Sequence, residues 1–74
     1  MRKIWGTTPF AQWLKEQRHR LHLLQREMAE LCGVCTRQYR RWECGECEPN
    51  VINARKIAQA VGVDEDVVFD LLDQ

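Results

Sequence analysis

The chain has 74 residues, of which 45% are hydrophobic and 30% charged, and its 11 basic and 11 acidic side chains leave a formal net charge of zero. This length allows one small domain, residues 1–74, and argues against a large enzyme fold, while the apolar content argues against disorder. The apolar runs are too short to span a membrane and the basic start lacks the apolar stretch of a secretory signal, so we expect a cytoplasmic protein without a membrane partner.

The charges are separated along the chain. Residues 1–42 hold nine basic and three acidic side chains, whereas residues 43–74 hold two basic and eight acidic ones. Such segregation favours one surface that faces a polyanion and a separate acidic surface. Two halves that simply attract each other are the alternative explanation.

Caps and apolar spacing predict five short helices, two of them in the first half of the chain. Thr8 and Pro9 are typical of a helix start, and this first helix is expected to reach about Leu21. The second helix is predicted over residues 24–32. Gly33 ends it, since glycine accepts the backbone angles that follow a helix.

The third helix is predicted over residues 36–44, with Tyr39 and Trp42 toward the core. After the loop GECEPN, Asn50 is expected to cap a fourth helix and Asp64 a fifth. The apolar positions of the fourth helix are Val51, Ala54, Ile57, Ala58 and Val61. No segment alternates as a strand would, so the sequence predicts an all-α bundle.

Two short helices joined by the tight segment CGVC are typical of a helix-turn-helix, whose core would span residues 24–44. The turn needs Gly33 for its backbone angles, and Val34 can pack into the core beneath it.

The stretches LLQREMAELCGVCTRQYRRWECGECEPN and ARKIAQAVGVDED resemble the helix-turn-helix domain of the Cro/CI/Xre type, found in phage repressors and small bacterial regulators. The resemblance covers about residues 10–72. The positions in register are Gln25, Ala29, Gly33, Val34, Glu43, Gly45, Pro49 and the segment KIAQAVGV. It implies a compact five-helix bundle of the lambda repressor-like fold, with residues 1–8 as an N-terminal arm.

The resemblance implies that the third helix enters the major groove of double-stranded DNA. The residues expected at the DNA are Gln25, Arg26, Cys35, Thr36, Arg37, Gln38, Arg40 and Arg41. Independently of the resemblance, Arg37, Arg40 and Arg41 share one helix face, and guanidinium groups suit both guanine and phosphate. The alternative is a solvated charged face.

Two further positions take their expected roles from the resemblance. Gln25, at the start of the second helix, matches a residue that clamps a backbone phosphate together with exposed helix N–H groups; an ordinary polar surface residue is the alternative. Arg18 and Glu43 match a partly buried ion pair that ties the first helix to the end of the third, a structural role and not a catalytic one.

Four cysteines form two CxxC pairs, Cys32 with Cys35 and Cys44 with Cys47, which is also the pattern of a zinc or iron–sulfur site. A third helix between the pairs would separate them by roughly 12–13 Å. Ligands of one ion lie within about 4 Å of one another, so we expect no metal and no cofactor. A redox- or metal-responsive thiol site and a zinc-stabilised different fold remain alternatives. His19 and His22 are expected at the surface.

These features predict a dimeric, sequence-specific DNA-binding transcriptional regulator, a repressor of phage or mobile-element character. No catalytic motif is present, so we do not expect an enzyme. The regulator would act either by occluding a promoter or by recruiting RNA polymerase through its acidic half, and the sequence does not choose between these mechanisms. The alternatives are a protein-binding adaptor or antitoxin with the same fold, and a thiol- or metal-responsive regulator that uses the four cysteines.

The homodimer is inferred from the fifth helix, DEDVVFDLLDQ. Its apolar stripe is expected to comprise Val67, Val68, Leu71 and Leu72. Phe69 would then point away from the stripe toward a second copy, and the pair would bind a palindromic operator. Folding of Phe69 over a loop is the alternative.

Trp5 and Trp13 either cover the core together with the N-terminal arm or face another protein.

Overall fold

The computed structural model describes residues 8–73, and within them five α-helices and no strand are present. The helices are α1 (Pro9–Arg20), α2 (Gln25–Cys32), α3 (Thr36–Cys44), α4 (Val51–Val61) and α5 (Glu65–Leu72). The all-α prediction is confirmed, and the helix ends agree with the predicted ones to within a residue. Trp5 and the arm before residue 8 lie outside the described residues.

Two of the three predicted helix caps act through their side chains. The Thr8 hydroxyl accepts a hydrogen bond from the Ala11 N–H at 3.0 Å, and the Asn50 side-chain oxygen accepts one from the Asn53 N–H at 2.9 Å. Asp64 stands at the N-cap of α5, but its side chain accepts no capping hydrogen bond. The three predicted cap positions are therefore right, and two of them cap through the side chain.

The turn between α2 and α3 depends on Gly33. Its φ is +75°, in the left-handed region that residues with a Cβ rarely adopt. The Gly33 N–H bonds to the carbonyl of Glu30, and the Val34 N–H bonds to that of Ala29, which satisfies two of the last four carbonyls of α2. This closure lets α3 begin three residues after Gly33.

The core collects buried side chains from all five helices. The largest fully buried ones are Trp42, Tyr39, Phe10, Leu14, Met28, Ile57, Val68 and Cys32. Trp13 packs partly buried against this core, with its ring 6.0 Å from that of Phe10. Of the apolar positions that indicated α4, Val51 alone is exposed, at 56%, because the neighbouring helices do not cover the first turn of this helix.

The inward face of α5 includes Val68, Leu71 and Leu72 as predicted, but the helix is rotated so that Val67 lies outside this face and Phe69 lies within it. Val68 is fully buried, but Val67 is 40% exposed, whereas Phe69 packs partly buried against the core beside Leu71 and Leu72. The contacts of α5 with α1 and α4 set this rotation, and they centre the inward face on Val68. No helix in the described part of the chain is both long and apolar enough to cross a lipid bilayer.

Candidate nucleic-acid interface

The helix α3 has one buried and one exposed face. Tyr39, Trp42 and Glu43 point into the bundle, where α3 packs on α1 and α2. The outward face is basic, since Arg37, Arg40 and Arg41 are all exposed on it. The hydrophobic side of α3 thus secures the helix and leaves its arginines available to a ligand.

The three arginines line one shallow depression of about 290 Å³, together with Cys44 and Glu46. Glu46 supplies the one carboxylate of this lining, and its Oε1 lies 3.9 Å from Arg41 Nε. Both partners of this pair are about half exposed, so the ion pair is weak. The depression keeps an excess of positive charge and suits an anionic ligand.

The N-terminus of α3 is capped by a thiol. Cys35 is exposed, and its Sγ accepts a hydrogen bond from the Gln38 N–H at 3.4 Å. The Gln38 side chain turns toward the following loop, where its Nε2 donates to Cys47 Sγ at 3.3 Å. Thr36 is half-buried in the first turn. Of the non-basic residues expected at the DNA, Gln38 is therefore partly engaged within the protein.

The start of α2 presents backbone donors. The first helical hydrogen bond runs from the Met28 N–H to the Leu24 carbonyl, so the N–H groups of Gln25, Arg26 and Glu27 precede it. The Glu27 carboxylate accepts from the Leu24 N–H at 2.8 Å. Arg26 is exposed, which adds a positive charge to this end of α2. This helix start is suited to bind an anion.

Glu43 accepts hydrogen bonds from three other side chains. Arg18 donates to both carboxylate oxygens, from Nε at 2.6 Å and from Nη2 at 3.2 Å. Tyr39 donates its hydroxyl to Oε2, and Gln25 donates Nε2 to Oε1 at 3.1 Å. The third guanidinium nitrogen of Arg18, Nη1, donates to the Leu23 carbonyl at 3.0 Å. The network thereby joins α1, α2 and α3.

The protonation states follow from these contacts. Burial alone would raise the pKa of Glu43, but the hydrogen bonds from Arg18, Tyr39 and Gln25 outweigh it and lower the pKa. The same contact with Glu43 raises the pKa of Arg18, and burial raises the pKa of the Tyr39 hydroxyl. The network is thus an ion pair with a neutral phenol and a neutral amide bonded to the acid.

Sequence reasoning placed Tyr39 in the core only and missed its hydrogen bond to Glu43. It also missed the bond from Gln25. The four-residue spacing of Tyr39 and Glu43 puts both on one helix face and could have indicated the first contact. The Gln25 contact has no local signal, since 18 residues separate it from Glu43.

The four cysteines are free thiols in different surroundings. Cys32 is buried, and burial raises the pKa of its thiol to about 11. Cys35 and Cys44 are exposed, while Cys47 is partly buried against the core. Among residues 8–73, no three histidine, cysteine or acidic side chains lie close enough together to hold a metal ion.

A helix-turn-helix family model matches residues 14–68, which include α2, α3 and α4 entire. A search of curated proteins found no match to the chain. The matched span contains the turn at Gly33, the arginines of α3 and the Arg18–Glu43 pair.

Proposed function

The chain belongs to the Cro/CI/Xre-type helix-turn-helix family of DNA-binding regulators, and from that membership we propose that it is a sequence-specific transcriptional regulator that binds double-stranded DNA. We propose further that it is a dimeric repressor of phage or mobile-element type, acting in the cytoplasm on a palindromic operator.

The observation that carries the proposal is the basic face of α3. Arg37, Arg40 and Arg41 are exposed together on the second helix of the helix-turn-helix, the one that enters the major groove in such proteins. Arginine binds the O6 and N7 atoms of guanine with two parallel hydrogen bonds and also binds phosphate. Arg37, near the N-terminus of α3, is best placed for a base, because N-terminal residues of a recognition helix contact base edges.

Backbone contacts would come from the start of α2. The exposed Arg26 and the free N–H groups of the first turn suit a phosphate oxygen, and Gln25 stands in the same turn. Such contacts set the position of the protein on the duplex, and the arginines of α3 would read the sequence. Cys35 and Thr36, at the N-terminus of α3, would approach the same groove.

The test is selection of a duplex from a random pool, followed by substitution of the arginines. Replacing a base-reading arginine with alanine should cost about 1–3 kcal/mol of binding free energy and relax the preference at one position. A phosphate-binding arginine should weaken all duplexes alike and lower the salt slope by about one unit.

Arg55→Ala is the matched control, because Arg55 is an exposed arginine on α4 that pairs with Glu65. It should leave the affinity for the selected duplex unchanged. If a folded variant with alanine at residues 37, 40 and 41 binds the selected duplex as the wild type does, α3 is not the reading helix.

A protein-binding adaptor is the second candidate function. Val51 and Ile52 are consecutive residues at the start of α4, and both are more than half exposed, which suits a protein partner. The absence of any enriched duplex at low salt would favour the adaptor over the regulator.

A further inference from the structure

Glu43 joins the two helices of the helix-turn-helix through Gln25. The carboxylate lies in the last turn of α3 and is buried, whereas Gln25 lies in the first turn of α2 and is half-exposed. The Gln25 Nε2 atom is 3.1 Å from Glu43 Oε1. The Gln25 side chain therefore lies between the buried network and the solvent-exposed start of α2.

This hydrogen bond determines which way the Gln25 amide faces. An ionised carboxylate only accepts hydrogen bonds, so Glu43 requires the NH₂ group of the amide and not its oxygen. Arg18 and Tyr39 bond to the same carboxylate, and they keep it ionised and in place. The second N–H of Gln25 and its amide oxygen are left to face away from Glu43.

We propose that Glu43 is a positioning residue for binding to the DNA backbone. It holds the Gln25 amide so that the second N–H is available to a phosphate oxygen at the start of α2. Because the side chain is already ordered, this contact needs no further loss of rotamer freedom when DNA binds. The inference rests on the proposed function and goes beyond the structural role of the ion pair with Arg18.

The same bond links the phosphate contact to the orientation of α3. Glu43 belongs to the recognition helix, and Gln25 belongs to the helix that would meet the backbone. A phosphate bound through Gln25 therefore lies at a set position relative to the arginines of α3, which is what alignment of the base contacts requires.

A double-mutant cycle tests the proposal. Affinity for a duplex selected from a random pool is measured for the wild type, Gln25→Met, Glu43→Gln and the double variant, each well below its unfolding temperature. Methionine keeps the length of glutamine but cannot donate a hydrogen bond. Glutamine at residue 43 can bond to either end of the Gln25 amide and therefore no longer determines which end faces outward. Each single change should weaken binding roughly three- to tenfold. The double variant should bind no more weakly than Gln25→Met, since Glu43 acts through Gln25.

Effects that multiply in the double variant would overturn the proposal, because Glu43 would then influence binding only through the fold. Tyr39→Phe is the matched control: it removes another donor to the same carboxylate and leaves Gln25 in place, so affinity should stay within about twofold. A loss as large as that of Glu43→Gln would also overturn the proposal. If Glu43→Gln does not fold, the cycle is run with Arg18→Met added, which leaves no buried charge unpaired.

The Gln25 amide also gives a readout that needs no DNA. In the free wild-type protein its NH₂ protons should exchange with solvent more slowly than those of Gln59, which is exposed on α4. Equal exchange at both amides would overturn the positioning role and leave the proposed function standing. A wild type that selects no duplex would remove the proposed function and this inference with it.

Discussion

Glu43 is 5% exposed, and no other charged residue in the range 8–73 is buried to that degree. A buried carboxylate is unfavourable unless its oxygens accept hydrogen bonds, and here both oxygens accept them. Arg18 supplies two N–H groups, and Tyr39 and Gln25 supply one donor each. The contribution of this site to stability consequently depends on these bonds, and above all on Arg18, which supplies the only positive charge among the donors.

Arg18→Met should therefore destabilise the protein by about 3–5 kcal/mol, because it leaves the buried Glu43 carboxylate without its cation. The free energy of unfolding in urea measures the effect. Arg20→Met is the control on the same helix, since Arg20 is exposed and should matter far less. Equal losses in the two variants would contradict a special role for the buried pair.

Stability should also fall in acid because of Glu43. The folded pKa of this residue lies below the value of about 4.5 that it has when unpaired, so the unfolded chain binds more protons as the pH drops. The stabilisation is complete at neutral pH, and it is lost as the pH falls from above 4.5 through the folded pKa. Thermal unfolding between pH 7 and pH 3 should show a shallower fall for Glu43→Gln than for the wild type; parallel curves would contradict the assignment.

The helices differ in how their ends are held. Asn50 caps α4 through its side chain, whereas Asp64 stands at the start of α5 without such a bond. In α3, the helix that carries the arginines, the N-cap is the thiol of Cys35, which is a weak hydrogen-bond acceptor. The strength of capping therefore differs between the helices, and of the two C-terminal helices only α4 has a side-chain cap.

Asn50→Ala should cost about 1 kcal/mol of stability, since it leaves the Asn53 N–H without its partner. Asp64→Ala should cost less, because only the favourable charge at the helix start is lost. Chemical denaturation of both variants measures the difference. A larger loss for Asp64→Ala would show that charge and not the hydrogen bond sets the helix starts.

At the scale of the whole molecule, the basic and acidic surfaces lie on different helices. Three of the exposed arginines, Arg37, Arg40 and Arg41, stand together on α3, while Asp64, Glu65 and Asp66 line a depression at the start of α5. This separation suits the proposed DNA contact on α3 and leaves α5 for another contact. The proposed dimer uses the α5 side, and a two-fold axis there would set the two recognition helices about 34 Å apart.

The rotation of α5 changes the best test of that dimer. Phe69→Glu would remove a core contact as well as any dimer contact, whereas Val67 is exposed and its substitution should spare the fold. Val67→Glu is expected to give a folded monomer at tens of micromolar with much weaker operator binding. Sedimentation measures the oligomeric state. Ile52→Glu, at an exposed position on α4, is the control and should leave the dimer intact. A monomeric wild type that protects a single half-site would contradict the dimer.

Local signals in the sequence were sufficient for the helices and for most of the core. Caps, glycines and apolar spacing act within one or two turns, so they predicted all five helices and the buried faces of α2 and α3. The basic face of α3 was predictable for the same reason, since Arg37 and Arg41 are four residues apart in a helix whose inward side was evident.

Only the tertiary structure decided how these elements meet. The bond from Gln25 to Glu43, the exposure of Val51 and the inward position of Phe69 depend on packing angles between helices that are distant in sequence. Periodicity gives the pattern around one helix axis, but the rotation of that helix is set by what covers it. In a 74-residue chain the first turn of α4 and one side of α5 stay uncovered, and no local signal marks which residues those are.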